Sequence, residues 1–402
     1  MRRPLVLMLF AALFAAELGF SGVAPLIPGY RDLYGLTDAQ AGLVFTIASA
    51  GILLASLPAG ALTRRFAVRT LTLWAMASIT AANLTLALAG NFPLVLAGRV
   101  LFGVGLGGMW VAGTAWIHDA AGEHASRALA MTTAVVGVGT LLGPAFTGFV
   151  AEHFSLGAPF WVLGAGALGA TVALLVMPSD VGREPEPGPP LAEMLKAAGG
   201  DHTMLASVVV TLAVSMLWMT ADLLVPLRLD EHGFSSEGIG LALSLASVAF
   251  IGMSALTARH ADRYATVRHA AAWTFVMAAG LAVAAVSTSI AGTLIFLAIA
   301  GASSGVLIAL TYPLGVIGAR RSGFSVAVVG AVLNMVWAGS GLIGPAAGGA
   351  VSQAYGDRVA FLALTLIALG SSAWMWLRRD RGSAVGAIDE AATGTPSPDA
   401  AT

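Results

Sequence analysis

The chain has 402 residues, 57% of them hydrophobic and only 10% charged, with a net charge of −1 and a mean hydropathy of +0.86. Soluble domains carry about 25% charged residues, so this chain lacks the means to cover a water-facing surface, and its exterior must face lipid. The charge balance excludes bulk attraction to nucleic acid, and the absence of cysteine excludes disulfides, thiolate metal sites and cysteine nucleophiles.

In chain order, Met1-Arg2-Arg3-Pro4 opens an apolar run that extends to about Gly29. Its length, Glu17 in its middle and the many similar runs behind it mark a first membrane helix, not a cleaved leader. Crossing the hydrocarbon core takes about 20 apolar residues. Runs of that length fall at roughly 5–29, 40–62, 70–90, 93–117, 127–151 and 158–177, then at roughly 204–227, 237–258, 270–290, 292–318, 324–350 and 359–377. These are spans 1 to 12 of an all-α membrane protein. Two six-helix bundles are expected at 1–177 and 204–377, joined by a linker at 178–203 and followed by a disordered tail at 378–402. Pro185, Pro187, Pro189 and Pro190 stiffen the linker, and Leu191 to Ala198 is expected to form a short surface helix.

The single lysine, Lys196, is followed by Ala197, so a Gly-Lys-Ser/Thr phosphate loop is absent. It also lies outside every apolar run, which excludes a Schiff base within the membrane. With the N-terminus in the cytoplasm, cytoplasmic segments hold 16 of the 20 basic residues and outer loops only Arg31, Arg228 and Arg358, with Arg99 inside a helix. That bias places both termini in the cytoplasm.

The two halves repeat. Gly35-Leu36-Thr37 matches Gly233-Phe234-Ser235, Arg65-Phe66-Ala67 matches Arg263-Tyr264-Ala265, and Gly143-Pro144 matches Gly344-Pro345, at offsets of 198, 198 and 201. Parallel repeats about an axis normal to the membrane are one architecture of secondary transporters.

Several motifs resemble those of the major facilitator superfamily. The stretch Gly60-Ala61-Leu62-Thr63-Arg64-Arg65-Phe66-Ala67 is similar to that family's loop signature after span 2, with Arg64 standing where the family has an acid. Its second copy keeps the acid as Asp262, before Arg263. The resemblance implies a cytoplasmic latch built on charge pairs, with Gly60, Arg65, Asp262 and Arg263 as its parts. Arg99-Val100-Leu101-Phe102-Gly103 in span 4 resembles a signature associated with proton coupling. Gly139 to Gly148 in span 5, with Gly143 and Pro144, resembles the signature of the drug–proton antiporters, Thr147 replacing one glycine; Gly344-Pro345 repeats it in span 11. The resemblance implies the twelve-helix fold, a proton-coupled efflux activity, and a chain that works as a monomer without a cofactor.

Ionisable groups inside the membrane are expensive and point to function. Glu17 lies about 18 Å into span 1, Arg99 about 9 Å into span 4 at 1.5 Å per residue, and Asp222 in the last third of span 7. Glu17 is expected to carry protons, with Arg99 close enough to bridge to it and Asp222 as the next choice. Thr211, Ser215, Trp218 and Asp222 share one face of span 7. Arg99, Gly103, Leu106 and Trp110 share one face of span 4, and Glu17 and Ser21 one face of span 1. Ser21, Trp110, Ser215, Trp218 and Asn334 are therefore expected to line a substrate cavity, although the two tryptophans equally suit plain packing and Asn334 a bond between helices. The glycines and prolines of spans 5 and 11 are expected to let helices approach and bend, not to touch substrate. His118, Asp119, Glu123 and His124 are expected in a solvated loop, with no metal site, since their spacing puts no two histidines on one face.

The function expected is alternating-access efflux of small, partly apolar compounds in exchange for protons. A symporter or facilitator for sugars or organic acids is the rival of the same fold. A membrane sensor or enzyme is the rival of another class, disfavoured because no paired His/Asp set lies within the membrane.

Overall fold

The computed structural model describes residues 3–62, 65–177, 189–260 and 264–378. Twelve helices among them are long and apolar enough to cross a membrane, from Arg3–Tyr34 to Asp357–Leu377, one for each predicted run. Lipid offers backbone groups no hydrogen-bond partner, so a spanning segment must satisfy itself as a helix. The exposed faces are themselves apolar: Leu168, Val172 and Leu175 on span 6, and Leu362, Leu366 and Ile367 on span 12, are all exposed.

The repeated Gly-Leu-Thr triplet is a helix-to-helix corner. Gly35 caps span 1 in the left-handed region, at φ 62°, where a side chain would be strained. Thr37 then opens span 2 with a reciprocal cap: its N–H donates to Gln40 Oε1 at 2.9 Å, and the Gln40 N–H donates to Thr37 Oγ1 at 3.3 Å. Gly233 repeats the turn at φ 79°, and Ser235 Oγ accepts the Gly238 N–H at 3.2 Å. Gly323-Phe324-Ser325 after span 10 is a third corner of the same kind, with φ 74° at the glycine.

Two helices depart from regularity. Span 1 runs as Arg3–Ser21, breaks at Gly22, and resumes through a 3-10 turn, Ala24–Leu26, into Ile27–Tyr34. Pro25 and Pro28 cannot donate to the helix ladder, which accounts for the break. Span 4 runs as Phe92–Gly108, widens into a π turn at Met109–Gly113, and closes as Thr114–Ala121. Its end corrects one expectation: His118 and Asp119 belong to that last helical segment, not to a loop, and their side chains meet at 3.2 Å.

By contacts the chain divides into two compact units that interleave in sequence. The first comprises the described residues within Met1–Gly188, Met216–Ser247 and Ala338–Ala360. Within it, span 2 packs on span 4 almost backbone to backbone: a Cβ on Gly107 would stand 2.7 Å from Ile52 O. The second unit comprises those within Pro189–Ser215, Val248–Trp337 and Phe361–Thr402. There the expected linker helix forms as Leu191–Gly200. Its Ala197 is buried in a cluster with Met204, Ala319 and Val328, and Arg321 donates to Thr203 Oγ1 at 3.1 Å beside it. Phe296 and Phe361 meet edge to face at 5.3 Å.

Candidate functional site

Glu17 is 7% exposed, and its Oε1 accepts the indole N–H of Trp110 at 2.8 Å. Trp110 sits in the π turn of span 4, where one extra residue shifts the helical phase; such turns often mark functional sites. Ser21 Oγ donates to the Glu17 carbonyl at 3.1 Å. Span 5 closes on this stretch through its glycines. A Cβ on Gly139 would stand 3.1 Å from Glu17 Cβ, and one on Gly143 would stand 2.6 Å from Leu18 O and collide with Ser21 Oγ. Thr147 replaces a motif glycine for a visible reason: its hydroxyl donates to Gly22 O, a carbonyl at the break in span 1, and to Gly143 O at 3.0 Å. Glu17, Ser21, Trp110, Gly139 and Gly143 thus form one cluster.

Arg99 does not join it, which corrects the bridge expected from depth alone. Its Nε donates to Val44 O at 3.0 Å, and its guanidinium lies 5.8 Å from the Phe20 ring and 5.4 Å from the Phe102 ring. The side chain is fully buried, and Nη1 and Nη2 have no hydrogen-bond partner among the described residues. Arg99 is thus tied to span 2 while Glu17 is held by Trp110.

The other expected cavity residues differ in exposure. Ser215 is fully buried, its Oγ bonded to Thr211 O at 2.7 Å. Trp218 and Asp222 are partly exposed, and Asn334 is exposed. Arg65 is an exposed turn residue, and Gly60 continues the span 2 helix. Asp262 and Arg263 lie outside the described residues, as does Arg64. Among the described residues no group of His, Asp and Glu could hold a metal ion.

Sequence reasoning missed a second feature, paired contacts within the first unit. Gly42 of span 2 abuts Pro345 O of span 11, and Gly240 of span 8 abuts Pro144 O of span 5. Gly349 lies against Asp38 O and Gly148 against Ser236 O. The partners in each pair of contacts are related by the repeat offsets of 198 and 201. Polar bonds follow the same edges: Ser352 Oγ donates to Asp38 Oδ2 at 2.8 Å, Ser236 N–H to Glu152 Oε2 at 3.0 Å, and Ser244 Oγ to Leu141 O at 2.6 Å. At the same end Arg228, its side chain 1% exposed, pairs with Asp357 at 2.6 Å. The signal was present, since Gly42 and Gly240 each stand seven residues past a corner glycine.

The comparisons agree with this architecture. Residues 9–341 match the family model described as Major Facilitator Superfamily. The Quinolone resistance protein NorA of Staphylococcus aureus (strain MSSA476) is 24% identical over 242 residues, 60% of this chain and 62% of that protein. The 3-(3-hydroxy-phenyl)propionate transporter of Escherichia coli (strain K12) is 27% identical over 248 residues, 59% of each chain. These matches therefore span about three fifths of the relatives' length. A crystal structure of a bacterial homolog to the human lysosomal transporter Spinster, inward-facing and unoccupied, superposes with a TM-score of 0.78 at 15% identity, covering 94% of this chain and 96% of that one. A mutant of the nucleoside transporter NupG gives 0.74 at 12% identity, covering 93% and 99%. The chain is a multi-pass membrane protein with a transporter fold, and it belongs to the Major Facilitator Superfamily.

Proposed function

We propose that the protein is a proton-coupled antiporter that exports small, partly apolar compounds across the cell membrane by alternating access. The observation that carries this reading is the buried Glu17 carboxylate, held by Trp110 on a π turn and packed against the glycines of span 5. A carboxyl there is coupled mechanically to the helix contact that must slide when spans 1 and 5 move. Its proton and the substrate compete: protonation removes the charge that Trp110 stabilises, and deprotonation restores it. Asp222 is the second proton site, and Arg99 acts from a distance, as a buried charge bound to span 2.

In the same reading the two repeats, 1–177 and 204–377, rock about a midplane site, with the linker at 178–203 and both termini in the cytoplasm. The glycine-to-carbonyl contacts joining spans 2 and 11, and 5 and 8, are then the external gate in its closed form. The chain acts as a monomer, and Arg65, Asp262 and Arg263 belong to the cytoplasmic latch. Likeness to NorA supports efflux. Likeness to the 3-(3-hydroxy-phenyl)propionate transporter favours the second reading, symport of an organic acid.

One experiment separates them. The protein is reconstituted in liposomes under an imposed pH gradient, and fluoroquinolones and aromatic acids are followed in both directions. Antiport predicts accumulation opposite to the proton flow; accumulation with the proton flow would establish symport, and gradient-independent equilibration would establish a facilitator.

A further inference from the structure

Spans 1 and 5 leave a groove between their N-terminal halves that the transport reading does not use. At the Arg3 end it widens into a cavity of about 520 Å³ whose charged lining is entirely basic: Arg3, His124 and Arg127. Leu7, Phe10 and Met131 floor it. Past Phe10 the groove continues into a second pocket of about 380 Å³, where Phe14, Val135 and Val138 are among a wholly apolar lining. The two pockets adjoin at Phe10, giving the groove a cationic end and an apolar end. Leu7 is 60% exposed and Val138 44% exposed, which leaves the floor open along its length.

The dimensions select the occupant. From Arg3 to Phe14 is eleven residues, or about 16 Å of helix at 1.5 Å per residue. Half of the roughly 30 Å hydrocarbon core is about 15 Å. The groove therefore starts where headgroups lie and ends near the midplane, one helical turn short of Glu17. A compact soluble anion would leave its apolar body empty, and a lipid of zero net charge would leave the positive charge of its mouth unbalanced. We propose that this groove seats one anionic phospholipid of the leaflet at the Arg3 end. Its phosphate lies among Arg3, His124 and Arg127, and an acyl chain runs past Phe10 to Phe14 and Val138. Because Gly139 follows Val138 and packs on Glu17, the chain tip lies beside the span 1–span 5 contact.

The inference is tested by binding, without any transport measurement. The full chain, purified in a neutral detergent, is titrated with phosphatidylglycerol or phosphatidylcholine of the same chain length, and retained lipid is counted by native mass spectrometry. One phosphatidylglycerol is expected to bind in preference to phosphatidylcholine. Arg127→Gln should weaken it about fivefold and Arg3→Gln/Arg127→Gln about thirtyfold, as expected for basic groups beside an anionic headgroup. Val138→Trp should shorten the tail site and weaken both lipids, and Ala134→Trp, at an exposed position, repeats the test if that variant folds poorly. Equal binding of the two lipids, or a preference that survives in the double variant, would overturn the proposal. Displacement of the lipid by free glycerol phosphate would overturn it in favour of a soluble anion.

Discussion

Replacing Gly349 with alanine perturbs the inter-span contacts directly. A Cβ there would stand 2.5 Å from Asp38 O and 3.1 Å from Ala39 Cα, whereas ordinary contact begins at 3.4 Å. Spans 2 and 11 must therefore part by 0.9 Å, the difference between 3.4 and 2.5, against backbone that cannot rotate away. Overpacking of this kind costs about 1–3 kcal/mol, and it is felt only while the two spans are in contact. The closed form should lose that much relative to the open one, a shift of roughly 5- to 150-fold. The chain has no cysteine, so Ser49→Cys gives a single reporter. Ser49 is 2% exposed, and a Cβ on Gly341 would lie 3.0 Å from its Cβ. An impermeant maleimide added outside should label this cysteine at least about fivefold faster in Gly349→Ala than in its parent. Alanine is also the better helix former by about 1 kcal/mol, which offsets part of that cost in thermal stability. Gly252→Ala, with nothing within 4 Å, is the control and should change nothing. A labelling rate equal to that of the parent would refute the gate.

Gly143→Leu should abolish transport and depress stability by about 3 kcal/mol or more, because it meets Ser21 Oγ and Leu18 O. Pro144→Leu should leave expression near normal and slow only uptake in proteoliposomes; wild-type rates in both would remove any mechanical role for the motif. Asp357→Asn removes the carboxylate paired with the buried Arg228 side chain, and a loss of up to about 3 kcal/mol, limited because Asp357 is 26% exposed, should appear as an earlier thermal melt in detergent. Reporter fusions at Ser179 and in the tail should both read cytoplasmic, and an external signal at either would reverse the orientation.

The twelve spans were legible because an apolar run of about 20 residues has few alternatives to a helix in lipid. The corners were legible only as matching triplets at Gly35 and Gly233; their left-handed backbone is a feature of the structure. What escaped were changes of helical phase. The break in span 1 had a signal, Gly22 followed by Pro25 and Pro28, hidden inside continuous hydrophobicity. The π turn at Met109–Gly113 had none, because one extra residue leaves composition unchanged, yet it aims Trp110 at Glu17. Arg99 was misplaced because depth along an axis does not say which neighbour a side chain meets, and here it meets Val44 O and two phenylalanine rings. A stripe of polar residues on span 7 fits both an open cavity and bonds to the preceding turn, and Ser215 Oγ makes a bond of the second kind.

The central claim, that Glu17 couples protons to substrate movement, rests on the partnership with Trp110 and is tested most directly by Glu17→Gln in proteoliposomes. Glutamine keeps the shape and still accepts the indole N–H at 2.8 Å, so the cluster should survive and only the titrating charge should go. The variant is expected to bind substrate and to exchange it passively, while accumulation driven by a pH gradient falls to the level of empty liposomes. Gradient-driven accumulation at the wild-type rate in Glu17→Gln would contradict the account and move the proton site to Asp222.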